Sequence, residues 1–408
     1  MTSPSPAGPK FPEFIALVAL MIGVAAFSVD NLLPAFDPIR TAFHLANPND
    51  AQLLIYAYMI AFAFAQAVHG IVSDIVGRRP VLMAGLVIFA AGSLLAISAP
   101  SFEVLLMARV IQGLGTAAAR VLATAIVRDR YAGRDMARVM SLVMMVFLIV
   151  PVIAPAIGSG LILIGGWQAI FACMLLLGLV LAVWFGLRMP ETLHPEYRLP
   201  FSSKRIIGAM RQTVVTRLSI GYATAIGLMF GPLMAYIGSA QQILETTVYG
   251  LGATFTLYFA MIAGIQAVAS LINARLVGKF GMRRLSHTAL CGYVLFSVIH
   301  LALAIWFGGR PPLALFMTLL GIVFFLFSFT IANFNAMAMQ PLGDVAGTAS
   351  SLIGAYTSLL GALGGMVAAR AFDGTVIPLL TVFCILGALS LVVVLWTERG
   401  RLFASQPD

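Results

Sequence analysis

The sequence predicts an all-α polytopic membrane protein with twelve transmembrane helices in two six-helix lobes. Three observations carry this. Apolar runs of spanning length recur from end to end of the 408 residues, the charged residues (10% of the chain) gather between those runs, and Lys and Arg fall mostly on one side of the barrier. A mean hydropathy of +1.01 with 61% hydrophobic residues is far from a soluble domain, which is about half apolar and a quarter charged.

Each span is justified by length, since about 20 apolar residues cross a hydrocarbon core of about 30 Å. Residues 1–12 are Pro-rich and are expected to be a short disordered tail, not a cleaved leader. The expected spans are 13–36, 50–72, 80–99, 101–127, 137–162, 167–189, 213–240, 248–273, 285–307, 312–337, 346–370 and 376–397. With both termini inside, 19 of the 24 Lys and Arg face the cytoplasm. Arg40, Arg310 and Arg370 face outward, and Arg109 and Arg120 stay within the fourth span. Cytoplasmic loops carry such an excess. The net charge of +9 therefore reads as a set of topology signals and not as a nucleic-acid surface. Cys173, Cys291 and Cys384 sit far apart in apolar runs and form neither a metal-ligand spacing nor a disulfide framework. No metal site, nucleotide loop or nucleophile–base set is visible, so neither an enzyme nor ATP-driven transport is expected.

The polar stretch 190–212 divides the spans six and six, which gives lobes 1–189 and 213–408 and a cytoplasmic linker between them. An internal repeat supports the division. The stretch Gly70-Ile71-Val72-Ser73-Asp74-Ile75-Val76-Gly77-Arg78-Arg79-Pro80 lies between the second and third spans. It packs an acid, two arginines and two glycines between apolar segments, so it must be a tight turn at a membrane surface. A decayed copy, Ala274 to Arg284, follows 204 residues later, with Ala274 for Gly70 and Gly278 for Asp74. Parallel six-span halves suit alternating-access transport.

Charged residues inside spans are costly and become functional candidates. Asp30 lies about 9 Å from the outer end of the expected first span, and Arg109 about 12 Å into the fourth. The two are expected to share a depth and form a proton-coupling pair, because desolvation favours a neutral carboxyl and a nearby guanidinium favours the anion. A fixed ion pair, or an interfacial Asp that starts a turn at Pro34, is the plainer alternative. Arg120, three turns after Arg109, lies on the same face and would either attract an anionic group or snorkel. Tyr56, Gln66, Tyr236, Gln241, Tyr258, Asn333 and Asn335 are candidate substrate-cavity residues, and interhelical hydrogen bonding explains them equally well. Pro151 and Pro155, with Gly158, are expected to bend the fifth span.

The Gly70–Arg79 pattern resembles the loop between the second and third spans of the major facilitator superfamily, with Gly70, Asp74, Gly77, Arg78 and Arg79 filling its positions. The stretch Arg109-Val110-Ile111-Gln112-Gly113 resembles the fourth-span motif of proton-coupled members. Pro151 to Gly158 resembles the proline-glycine motif associated with antiporters. Together with Tyr58, Gln66 and the segments 273–277 and 347–351, these resemble the Bcr/CflA group of drug:proton antiporters. Asp30-Asn31-Leu32-Leu33-Pro34 keeps the acid and proline of that group's first-span motif and lacks its aromatic. The resemblance implies a conformational latch of Asp74 and Arg78, with Asp129 as the partner of Arg78. It also implies a monomeric bacterial inner-membrane exporter of small amphipathic compounds, driven by the proton gradient and needing no cofactor. A metabolite symporter or facilitator, or a non-transporting sensor of the same fold, is the alternative.

Overall fold

Hydrocarbon offers no partner to a backbone N–H or C=O, so a crossing segment must satisfy its own backbone, and an α-helix does so locally. A computed structural model describes residues 8–47, 49–198, 200 and 202–403. Residues 1–7 of the expected N-terminal tail lie outside the described residues. The elements are α1 (Phe11–Asp30), α2 (Phe36–Ala42), α3 (Leu53–Val76), α4 (Arg78–Ile97), α5 (Phe102–Arg130), α6 (Gly133–Arg188), α7 (Ser203–Val215), α8 (Arg217–Ala240), α9 (Phe255–Phe280), α10 (Met282–Trp306), α11 (Leu313–Met339), α12 (Ala346–Arg370) and α13 (Ile377–Thr397). Short 3-10 or π turns join some of them, and the described residues contain no strand.

Eleven stretches are long and apolar enough to span a bilayer. One of them, Arg138–Arg188, has 51 residues, enough for two crossings. Its helix α6 leaves helical geometry at Gly165 (φ −152°) and Gly166 (φ 66°). That two-glycine break separates the fifth span from the sixth, and the chain crosses twelve times.

Two details, in the first and seventh spans, differ from the sequence expectation. The first span is not one helix ending near residue 36. It runs to Ala42 and is interrupted after Asp30, with a 3-10 turn at Leu33–Ala35. Pro34 causes the interruption, because it lacks the N–H that would bond the Asp30 carbonyl one turn back. Helix α6 carries Pro151 and Pro155 in its interior, and its break at Gly165-Gly166 falls between the expected fifth and sixth spans. The seventh span starts at Arg217, because 203–215 form α7, a separate helix that ends at the extended Thr216. Helix α7 exposes Ile207, Met210 and Val214 and buries Ala209 and Thr213.

The chain divides into two compact units: Met1–His44 with Ala57–Ile206, and Leu45–Tyr56 with Ile207–Asp408. In the first, α4 packs on α5 and α6, and α1 on α6 and α5. In the second, α8 packs on α12, α13 and α11, while α10 lies on α11 and α13. Polar contacts explain why Leu45–Tyr56 belongs to the second unit. Asn49 Nδ2 donates to the Arg370 and Phe372 carbonyls at 3.3 and 3.0 Å. Gln52 bonds Gln242, whose own amide donates to Asn49 Oδ1 at 2.9 Å.

The repeated turns share one backbone solution. Gly77 (φ 116°) and Gly281 (φ 77°) each stand between two helices as the N-cap of the second, in a region that side chains rarely adopt. Their surroundings differ. A Cβ on Gly77 would meet Glu191 Oε2 at 2.5 Å, whereas one on Gly281 meets nothing within 4 Å. Gly281→Ala is therefore expected to cost only the strain of this glycine-favouring region (φ 77°, ψ 155°), about 1–3 kcal/mol, and Gly77→Ala more. Thermal unfolding of the purified protein should rank wild type above Gly281→Ala and Gly281→Ala above Gly77→Ala; equal melting temperatures for the two variants would contradict this.

Candidate functional site

Arg109 is the most thoroughly buried charged side chain described, at 0% exposure in the middle of α5. A guanidinium there needs its donors satisfied by protein. Nη1 donates to Gln112 Oε1 at 2.8 Å and Nη2 to the Ser28 carbonyl at 3.0 Å. Its plane lies over the Tyr58 ring, 4.4 Å from the centroid. The network then spreads outward. Tyr58 Oη donates to the Ala25 carbonyl at 3.2 Å and lies 2.7 Å from Thr116 Oγ1. Gln112 Nε2 donates to Ser93 Oγ at 2.8 Å. Helices α1, α3, α4 and α5 are thus tied to one cation.

Asp30 is the last residue of α1 and is 4% exposed. The ion pairs of the described residues do not include one between Asp30 and Arg109. Arg109 instead bonds the Ser28 carbonyl, two residues before Asp30. The two charges share the α1–α5 region of one unit, and Gln112 occupies the other arm of the guanidinium. Next to Asp30, Asn31 is 0% exposed and packs against α6. A Cβ on Gly158 would clash with the Asn31 carbonyl and approach Pro34 Cγ at 3.0 Å, so only glycine lets α6 come this close. Arg120 is half-buried further along α5 with no described hydrogen bond or ion pair.

The turn after α3 is a dense charge cluster. Arg78 is 3% exposed. Its Nη1 donates to Asp74 Oδ1 at 2.5 Å and to Ser73 Oγ at 2.8 Å, and its Nε donates to Asp129 Oδ2 at 3.0 Å. Ser73 Oγ donates in turn to the Gly70 carbonyl at 2.9 Å. Arg79 reaches the Gly186 carbonyl through Nη2 at 2.7 Å. Glu191, assigned only to the linker in the sequence reading, closes the cluster. Its two carboxylate oxygens accept from the Arg78 and Arg79 backbone N–H groups at 2.9 and 3.1 Å. An anion at the start of a helix satisfies orphan donors and the positive end of the dipole. Thr192 Oγ1 donates to Asp129 Oδ2 at 3.2 Å.

The candidate cavity residues are dispersed. Tyr56 Oη donates to the Met234 carbonyl at 3.1 Å, against Gly238. Tyr236 is buried between Phe259 and Phe324, with ring centroids 5.6 and 5.2 Å away. Gln66 and Gln241 are buried. Asn333 Nδ2 donates to Asn273 Oδ1 and to the Phe329 carbonyl at 2.8 and 2.7 Å, so it fastens α11 to α9, while Asn335 is exposed. Tyr258 lines an apolar groove of about 680 Å³ with Met261, Phe296 and Phe325. For Tyr56 and Asn333 the helix–helix explanation is the one the contacts favour.

The sequence reading missed Ser28, Ser93, Gln112, Thr116 and Glu191 as site residues. A signal existed for two of them. Arg109, Gln112 and Thr116 fall at i, i+3 and i+7, one polar stripe on an apolar helix. Ser28 acts through its carbonyl, which no side-chain pattern reveals.

Residues 18–368 match the family model described as Major Facilitator Superfamily. The chain is 29% identical over 370 residues to the bicyclomycin resistance protein homolog of Haemophilus influenzae, covering 90% of this chain and 91% of that one. It is 26% identical over 359 residues to multidrug resistance protein D of Escherichia coli, covering 85% and 86%. In fold it resembles the crystal structure of the peptide transporter POT in complex with sulfate, with a TM-score of 0.75 at 14% identity over 96% of this chain and 94% of that one. The chain belongs to the Major Facilitator Superfamily.

Proposed function

We propose that the protein is a proton-coupled secondary transporter of the bacterial inner membrane that exports small amphipathic, drug-like compounds by alternating access. The observation that carries the reading is Asp30: a carboxylic acid 4% exposed at an interrupted span, beside a fully buried arginine that it does not pair with. A carboxyl not locked into an ion pair is able to exchange a proton, and ionisable residues in spans mark proton relays in pumps and transporters. The names of the relatives supply the cargo class: bicyclomycin resistance for one, multidrug resistance for others. The charge bias of 19 inside to three outside supports cytoplasmic termini. The protein works as a monomer and without a cofactor, the proton gradient supplying the energy. Arg120, half-buried on the same helix as Arg109, contributes positive charge to the substrate path. Asp74, Arg78 and Asp129 act as the latch of the first unit, with Gly70, Gly77 and Arg79 shaping the turn.

Purified protein in liposomes with a trapped pH-sensitive dye tests the coupling. Adding a cationic, neutral or anionic drug under an imposed proton gradient is expected to move protons in wild type. Asp30→Asn should abolish that movement while leaving the melting temperature unchanged. Coupled export at the full rate by Asp30→Asn would sink the assignment, and substrate flux without proton movement would make the protein a facilitator.

The latch gives a second expectation. Arg78→Ala leaves the Asp74 and Asp129 carboxylates without their guanidinium, and losing one partner of a largely buried charge pair costs about 3–5 kcal/mol. Arg78→Lys should recover stability only in part, because an ammonium lacks the planar fork that reaches Ser73, Asp74 and Asp129 together. Transport rate and thermal stability should both rank wild type, Lys, Ala. Equal values for the Lys and Ala variants would show that geometry is irrelevant there.

A further inference from the structure

The second unit holds a buried relay that none of the transport argument uses. The described chain after α13, through Phe403, folds back on the protein. Gly400 (φ 77°) turns it, its N–H bonding the Leu395 carbonyl at 2.8 Å, and Phe403 is brought onto His287 of α10. The Phe403 backbone N–H donates to His287 Nδ1 at 3.2 Å. That bond requires Nδ1 to be unprotonated and assigns the ring proton to Nε2. His287 Nε2 is 3.1 Å from Tyr222 Oη, and the Tyr222 hydroxyl donates to Glu398 Oε1 at 2.5 Å. Arg283 Nε donates to the same carboxylate oxygen at 2.9 Å. The donors therefore run in one order, His287 to Tyr222 to Glu398, with Arg283 closing the chain.

Every element around the ring is accounted for. Helix α8 presents Tyr222, the end of α13 presents Glu398, α10 itself adds Arg283, and α11 offers only the Phe334 ring at 6.4 Å. The tail adds Phe403, while its own Arg399 and Arg401 are exposed. His287 is 0% exposed. A second, independent mark is backbone strain. Arg399 (φ 54°) and Phe403 (φ 65°) are non-glycine residues in the left-handed region, which persists only where surrounding contacts hold it.

We propose that Glu398–Phe403 is a proton-sensitive strap, bound across α8 and α10 while His287 Nδ1 is an acceptor and released when Nδ1 takes a proton from the solvent. A protonated Nδ1 sets one N–H against another, removes the described polar bond that holds Phe403 and leaves the left-handed backbone unsupported. The strap is independent of what the protein transports.

Hydrogen exchange read by mass spectrometry on the full-length protein in lipid nanodiscs tests it without any transport assay. After correction for intrinsic rates, the amides of 398–403 should exchange roughly tenfold faster at about pH 5.5 than at about pH 7.5. In His287→Phe they should be fast at both pH values. In His287→Gln, which keeps an acceptor and a donor and cannot take a proton, they should stay protected at both. Tyr222→Phe, which cuts the relay, should speed exchange at the higher pH. A wild-type tail whose exchange ignores pH, or a His287→Phe tail as protected as wild type, would overturn the strap, and a His287→Gln tail that opens at low pH would remove His287 as its trigger.

Discussion

A guanidinium with no exposure, inside helices selected to be apolar, is the constraint on which the first unit depends. Arg109 cannot be hydrated, so protein groups must surround it. A side-chain amide, a backbone carbonyl and an aromatic face do so, and each belongs to or fixes a different helix. Once Gln112 is held by Arg109, its amide nitrogen is aimed at Ser93; once Tyr58 is under the cation, its hydroxyl meets Ala25 and Thr116. In a medium where helix association gains little from hydrophobicity, such polar contacts and close glycine packing order the bundle.

The acid nearby is treated differently. Pro34 ends α1 at Asp30, so the carboxyl sits at a discontinuity and not on a smooth helix face. Close packing of Gly158 against Asn31 fixes that discontinuity in place. The first unit thus combines a cation held by an amide, a carbonyl and an aromatic face with an acid at a break in its helix, and the proposed coupling chemistry rests on that contrast.

Much of this was legible in the sequence, for physical reasons. Hydropathy and span length determine crossings because the bilayer penalises error so heavily. The turn glycines were legible because Gly77 and Gly281 stand where the chain must reverse. The interruption after Asp30 was legible only as one alternative, a turn at Pro34, because a proline within an apolar run is compatible with either a kink or a terminus. The boundary at Gly165-Gly166 was legible because two adjacent glycines separate two apolar runs. The candidate cavity residues fared worst. A polar residue in a span has the same appearance whether it faces a ligand or, like Asn333, a neighbouring asparagine. Glu191 was hidden because its role depends on where a distant helix starts, which no local pattern encodes.

The two repeated turns also say something about interchangeability between the halves. The first turn is a composite: Arg78 answers to Asp74, Asp129 and Ser73, and Glu191 presses on Gly77 from the chain that leaves α6. The second carries Gly278, Gly281 and Met282 at the matching positions, with open space around Gly281. Transplanting the first turn into the second half would meet no obstruction at the glycine. The reverse graft would place a methionine where two acids wait for a guanidinium. The two turns are one-way spare parts, and the half that carries the charges is the half that cannot accept a substitute.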